Sequence, residues 1–316
     1  MTPRTPIVGL HHVTATVGDS QADLDFCIGV LGLRLVKKTV NFDNHNVYHF
    51  YYGDERGSPG TIWTTFPYAG WGVPVGAGGA GQIAVTSFSV PADSLGPWQA
   101  RLAECGVPVE EVEPRFGEPA LRLRDRSGLV FELIGSDRDA RAPWTGGGVP
   151  ADAAIRGLHG ITMVVRDPGP SLELLVGVLG FEVLDEAEAR TRVSVGGDAP
   201  GRTIDVVRAP DAPAALNGLG TVHHVALAIA DADEQRRLRA ELVSRGLQVT
   251  EVRNRQYFQS IYFREPGGVL LEVATVQPGF TLDEDPARLG CALKLPPWEE
   301  PHRAAIEARL PAVVHG

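Results

Sequence analysis

The chain has 316 residues, 43% hydrophobic and 22% charged, enough to bury a large core and to fold as two domains. A formal net charge of −10 without a basic cluster argues against nucleic acid as a partner. No apolar run reaches the ~18 residues that a membrane span needs, so a membrane is not expected either.

Residues 1–6, MTPRTP, run into a strand-like segment without an apolar leader. Cys27, Cys105 and Cys291 stand far apart and in no CxxC spacing, which disfavours disulfides and a structural zinc site. Together these features predict a reducing, cytoplasmic location. The sequence leaves homo-oligomerisation open.

In chain order, Leu10-His11-His12-Val13-Thr14 opens a Val-rich alternating strand. Asp19 and Ser20 then supply caps for a helix that contains Cys27 and ends at Gly32. Strands follow to residue 67, including Tyr48-His49-Phe50-Tyr51-Tyr52 and TIWTTF at 61–66. A second unit over 80–135 opens with Gln82-Ile83-Ala84-Val85, has a helix near 95–105, and ends in Leu129-Val130-Phe131-Glu132-Leu133. Residues 136–155, with Pro143, Gly146-Gly147-Gly148 and Pro150, read as a linker. A third unit over 156–210 carries Leu158-His159-Gly160-Ile161-Thr162. The fourth, 220–276, opens with His223-His224, has a helix near 233–245, and places Glu272 within Val269-Leu270-Leu271-Glu272-Val273, 48 residues past His224. The tail, 277–316, carries Pro296-Pro297, Pro301 and a short helical pattern near 302–309, and is expected to pack on the body.

The units repeat. Residues 10–14 match 158–162 and residues 28–32 match 176–180, both at an offset of 148. Gly106, Arg115, Gly128 and Glu132 match Gly246, Arg255, Gly268 and Glu272 at an offset of 140. Four tandem βαβββ modules of the α+β class follow, with period-two strands and turn glycines.

Four such modules resemble the vicinal oxygen chelate superfamily, which includes glyoxalase I, extradiol dioxygenases and antibiotic-resistance binding proteins. The resemblance covers 7–276. It implies two curved mixed sheets, each built from two modules, with metal ligands drawn from the first and last strands of paired modules. Aligned first-strand positions hold His12, Gln82, Gly160 and His224; last-strand positions hold Thr64, Glu132, Asp205 and Glu272. Pairing modules three and four would use Gly160, which has no side chain. Pairing one and two gives His12, Gln82 and Glu132. Pairing one with four gives His12, His224 and Glu272, the two-histidine-one-carboxylate set of non-haem iron(II) oxygenases. Pairing two with three leaves no histidine.

The segments 10–14, 61–66 and RNRQYF at 253–258, with Pro266-Gly267-Gly268-Val269 and Asp283-Glu284-Asp285, further resemble the hydroquinone ring-cleaving dioxygenases. That resemblance implies Fe(II) on His12, His224 and Glu272, with His11, Thr14, Arg255 and Tyr262 around the substrate. The partners would be a small aromatic substrate and O2. Iron(II) on two neutral imidazoles and a carboxylate keeps a positive charge and could hold a phenol as phenolate. A glyoxalase-like lyase or isomerase needs a second carboxylate where Thr64 stands. A non-catalytic small-molecule-binding protein would not need the triad.

Each candidate has an ordinary structural reading. A lone strand histidine is commonly packed and hydrogen-bonded, Arg255 could be an ion-pair partner, and Tyr262 a strand aromatic. His11 and His223 should face away from their neighbours in a regular strand, so a role for His11 needs a bulge. Glu132 is expected to pair with Arg115 or Arg122 as a relic of duplication. His49 is a candidate for a pocket wall, whereas His45, His159, His302 and His315 carry no supporting pattern.

Overall fold

The computed structural model describes residues 7–315. The first module is β1 (Ile7–Val17), α1 (Ser20–Leu24), β2 (Arg34–Asn41), β3 (Asn44–Gly53) and β4 (Ile62–Pro67). The Asp19 side chain caps α1 by accepting from the Ala22 N–H at 2.9 Å. A wider turn, Asp25–Val30, extends the helix, and Gly32 ends it at φ +68, a conformation that a Cβ would strain.

The second module is β5 (Gln82–Val90), α2 (Leu95–Glu104), β6 (Val109–Arg115), β7 (Glu118–Arg124) and β8 (Val130–Gly135). The third is β9 (Gly157–Val165), α3 (Gly169–Gly177), β10 (Glu182–Ala187), β11 (Arg190–Ser194) and β12 (Thr203–Arg208). The fourth is β13 (Thr221–Ile229), α4 (Ala232–Ser244), β14 (Arg253–Asn254), β15 (Gln259–Arg264) and β16 (Leu270–Thr275).

Two eight-stranded mixed sheets result, ordered β14-β15-β16-β13-β1-β4-β3-β2 and β10-β11-β12-β9-β5-β8-β7-β6. The first unites modules one and four through an antiparallel β1–β13 seam; the second unites two and three through β5–β9. Period-two alternation sets the faces. Val13, Ala15, Val225, Leu227, Leu271 and Val273 enter the main apolar core, while His12, Thr14, His224 and Glu272 lie between them on the other face. A one-residue slip would drive the polar set into that core, so the register is strongly specified. The main core is continuous between sheets, with Trp63 and Phe131 ring centroids 5.0 Å apart.

The tail packs along the β2 edge. Leu293 bridges to Lys38, and the Lys294 N–H donates to the Lys38 carbonyl at 2.9 Å. This bridge covers the middle of the β2 edge. Lys37, fully buried, donates to Asp283 at 2.6 Å and to Glu284, while Tyr257 donates to Asp283 at 3.0 Å. The helical pattern in the tail is α5 (Arg303–Glu307), whose Ile306 packs with Val40 and Leu295. Among the described residues no helix is long and apolar enough to cross a membrane.

One alignment needs correction. Glu272 lies opposite Ala226, two residues after His224, whereas Glu132 lies opposite Ser87, two residues after Val85. Val85, not Gln82, therefore holds the first-strand position of module two. A register shift between Ile83 and Val85 breaks the linear count. The second sheet still has no histidine at its paired positions.

Candidate metal centre

His12 on β1, His224 on β13 and Glu272 on β16 converge from three adjacent strands. Their ligand atoms all lie within 4.8 Å of one another. Glu272 Oε2 stands 2.8 Å from His224 Nε2 and 3.3 Å from His12 Nε2, and the two Nε2 atoms are 3.4 Å apart. All three side chains are buried, Glu272 completely. Ser260 on β15 donates to Glu272 Oε1, while buried Oε2 has no hydrogen-bond partner among the described residues. A buried carboxylate oxygen left unpaired is costly unless a cation completes it, and two imidazole nitrogens face the same point. Burial alone would raise the Glu272 pKa, but His12 and His224 outweigh it and hold the carboxyl well below its usual range. Burial lowers the His224 pKa, which favours the neutral, ligating imidazole.

The paired histidines share one local device. Across the β1–β13 seam the register jumps past His11 and past His223, so each occupies a bulge. Each bulged ring then reaches its neighbour: His11 Nδ1 lies 2.9 Å from His12 Nδ1, and His223 Nδ1 lies 2.8 Å from His224 Nδ1. His11 also hydrogen-bonds the Thr275 backbone, and burial lowers its pKa to about 3, so it is neutral. A His11 tautomer protonated at Nε2 would accept at Nδ1 from His12 Nδ1 and so leave His12 Nε2 with its lone pair. His223 does not face away, as regular alternation predicts; it lines the cavity, because the bulge turns it there.

A cavity of about 340 Å³ opens onto the triad. Phe42, Tyr51, Phe66, Tyr68 and Phe258 give it aromatic walls. Tyr262 lies directly opposite Glu272 in the β15–β16 ladder and lines the same cavity. Its phenol is raised by burial and by Glu272, which keeps it protonated. Arg255 Nε donates to Tyr262 Oη at 3.0 Å, so the Tyr262 hydroxyl proton is free to point elsewhere. The other arm of Arg255 holds Asp43 at 2.9 Å, in the turn between β2 and β3, and thereby joins the first module to the fourth.

Two expected residues stand back from the cavity. His11 lies behind His12 against Phe258, and Thr14 is buried, accepting from Thr64 at 3.0 Å. Neither belongs to the cavity lining, because the seam places both beneath it. His49 does line the wall, with Nε2 2.8 Å from Thr64 Oγ1. Sequence reasoning missed Ser260 and Asp43. Period-two spacing from Tyr262 could have found Ser260. For Asp43, no local signal exists, since its partners lie 210 and 212 residues away.

The equivalent face of the second sheet holds ion pairs. Glu132, fully buried, accepts from Arg115 and, at 2.8 Å, from Arg122. Asp205 is held by Arg190 and Arg192, and His159 pairs with Glu118 at 3.0 Å.

The sequence pattern of the Glyoxalase/Bleomycin resistance protein/Dioxygenase superfamily matches residues 9–133 and 157–273. The chain is 42% identical over 303 residues to the "Putative ring-cleaving dioxygenase MhqO" of Bacillus subtilis (strain 168), covering 96% of each chain. It is 37% identical over 300 residues to the chlorohydroquinone/hydroquinone 1,2-dioxygenase of Sphingobium indicum, covering 93% of each. A crystal structure of a "putative dioxygenase" from Bacillus subtilis superposes with a TM-score of 0.93 at 41% identity, covering 98% of each chain.

Proposed function

The chain belongs to the glyoxalase/bleomycin resistance protein/dioxygenase superfamily, and from that premise we propose that it is a ring-cleaving dioxygenase that uses one iron(II) and dioxygen to open a hydroquinone-type ring. His12, His224 and Glu272 would hold the metal. The observation that carries this reading is the buried convergence of Glu272 Oε2 with two imidazole Nε2 atoms, 2.8 and 3.3 Å away, at the head of an aromatic-walled cavity. Three protein ligands leave positions free for substrate and dioxygen. The relatives at 42% and 37% identity support both the reaction class and the hydroquinone-type substrate, with catechol-type rings the next choice.

Bound there, iron(II) would supply Lewis acidity toward a phenol oxygen and a path for electrons to dioxygen. The chain's own residues do the rest. His11 and His223 hold the ligand imidazoles by Nδ1, fixing ring orientation. Tyr262 offers its hydroxyl proton to a substrate oxygen, because Arg255 already occupies its lone pair. Arg255 places a cation where negative charge would develop. Phe42, Phe66 and Phe258 flank a planar ring and exclude water. Thr14 acts indirectly by holding Thr64. Thr64, a poor metal ligand, speaks against the glyoxalase-type lyase. A reducing cytoplasm suits a ferrous site.

The test is anaerobic loading with iron(II), followed by oxygen uptake with hydroquinones. One dioxygen consumed per ring opened, with both atoms in the product, is the expected outcome. Equal turnover without oxygen would establish the lyase, and tight binding without turnover a sequestering protein. His12→Ala should lose iron while His159→Ala keeps it; the reverse would overturn the assignment of ligands.

A further inference from the structure

We propose that His49 accepts a hydrogen bond from the substrate hydroxyl that is not on the metal, an inference that rests on the dioxygenase reading. The internal duplication locates it. Tyr51 lies opposite Thr64 as Tyr262 lies opposite Glu272, so β3 and β15 are equivalent strands. Two residues earlier on each, His49 corresponds to Ser260, and both reach the last-strand position. Ser260 donates to Glu272, while His49 Nε2 lies 2.8 Å from Thr64 Oγ1. Module four thus uses this position to steady a ligand. Module one has no ligand there and puts an imidazole on the cavity wall instead.

The polarity of the threonine pair, taken as Thr64 to Thr14, sets the His49 tautomer that the proposal uses. Thr64 Oγ1 donates to Thr14 Oγ1 at 3.0 Å, so it accepts the Nε2 proton of His49. The remaining nitrogen, Nδ1, then carries a lone pair. It has no partner among the described residues, and His49 lines the cavity. Tyr51 and Phe66, with ring centroids 4.0 and 4.3 Å away, fix the imidazole plane. His49 also stands on the module-one wall, whereas Tyr262 and Arg255 stand on the module-four wall. A ring gripped by the metal at one oxygen would therefore meet a neutral acceptor on the other side. A para-dihydroxy ring is the class that uses both.

The experiment measures anaerobic binding of hydroquinone, phenol and 4-methoxyphenol to the iron-loaded protein, with metal content determined alongside. Wild type should bind hydroquinone roughly tenfold more tightly than the two compounds without the second hydroxyl. In His49→Ala, with metal content unchanged, that preference should fall to within about twofold. His49→Asn, which keeps an acceptor near the Nδ1 position, should recover part of it. An undiminished preference in metal-replete His49→Ala would overturn the inference while leaving the dioxygenase reading intact. Loss of metal from both variants would also overturn it, by placing His49 in the metal framework. Failure of wild type to bind hydroquinone at all would overturn the dioxygenase reading and this inference together.

Discussion

Glu272 and Glu132 are the same residue of two equivalent modules, and their surroundings separate a candidate metal site from a salt bridge. The strand position opposite Glu272 holds Tyr262, while the one opposite Glu132 holds Arg122. Arg115, the repeat counterpart of Arg255, also turns onto Glu132. Two guanidiniums saturate that carboxylate, whereas Glu272 keeps one oxygen for a cation. Ser260 satisfies the other oxygen. Ser260→Ala should therefore weaken metal affinity by roughly 10–100-fold without unfolding the protein, as measured by competition with a chelator. Unchanged affinity would remove Ser260 from the site. The convergence of His12, His224 and Glu272 was legible in the sequence because the repeats put them at equivalent positions. The place of His223 was not, because a bulge overrides the alternation from which side-chain direction is read.

At the scale of elements, α1 binds the first module's sheet through a buried acid. Asp23 accepts from Tyr52 at 2.7 Å and from Thr65 at 2.5 Å, with Cys27 Sγ 3.8 Å away. Burial raises its pKa from 3.8 to about 7, against the lowering effect of the two hydroxyls. A folded-state value above the unfolded one means that protonation favours the fold. That stabilisation is complete below about pH 4 and is lost as pH rises through about 7. Burial lowers His11 and His223 to about 3, which adds a slope of the opposite sign in both proteins, so the difference is what reads Asp23. Urea stability of Asp23→Asn relative to wild type should rise between pH 4 and 7, and a pH-independent difference would refute the assignment. Asp125, raised by burial to about 6, adds a smaller slope of the same sign in both proteins. The helices and strands were legible from caps, turn glycines and period-two runs. The two-residue β14 and the place where the tail docks were not, because both depend on distant partners such as Asp43 and Lys37.

For the molecule as a whole, the consequential choice is which modules share a sheet. Each half of the chain contributes one module to each sheet, so neither half contains a complete triad. Fragments cut within 146–148 should not hold metal singly, and their co-expression should restore it; metal retained by the C-terminal fragment alone would contradict this topology. The second sheet cannot host a matching site. A side chain at Gly160 would meet Thr203 Oγ1 at 2.4 Å, and the facing carboxylates already serve arginines. One duplicated architecture has thus kept one open trough and filled the other with buried ion pairs.

The sequence alone determined the four modules, their faces and the three convergent donors, because duplication repeats local patterns at fixed offsets and alternation sorts side chains into core and trough. Only the tertiary structure decided the placement of Ser260 and Asp43, the turned ring of His223, and the displacement of Gln82 by Val85. These depend on strand register, bulges and contacts between opposite sheet edges. Such features arise from packing across the whole chain, and no local stretch of residues encodes them.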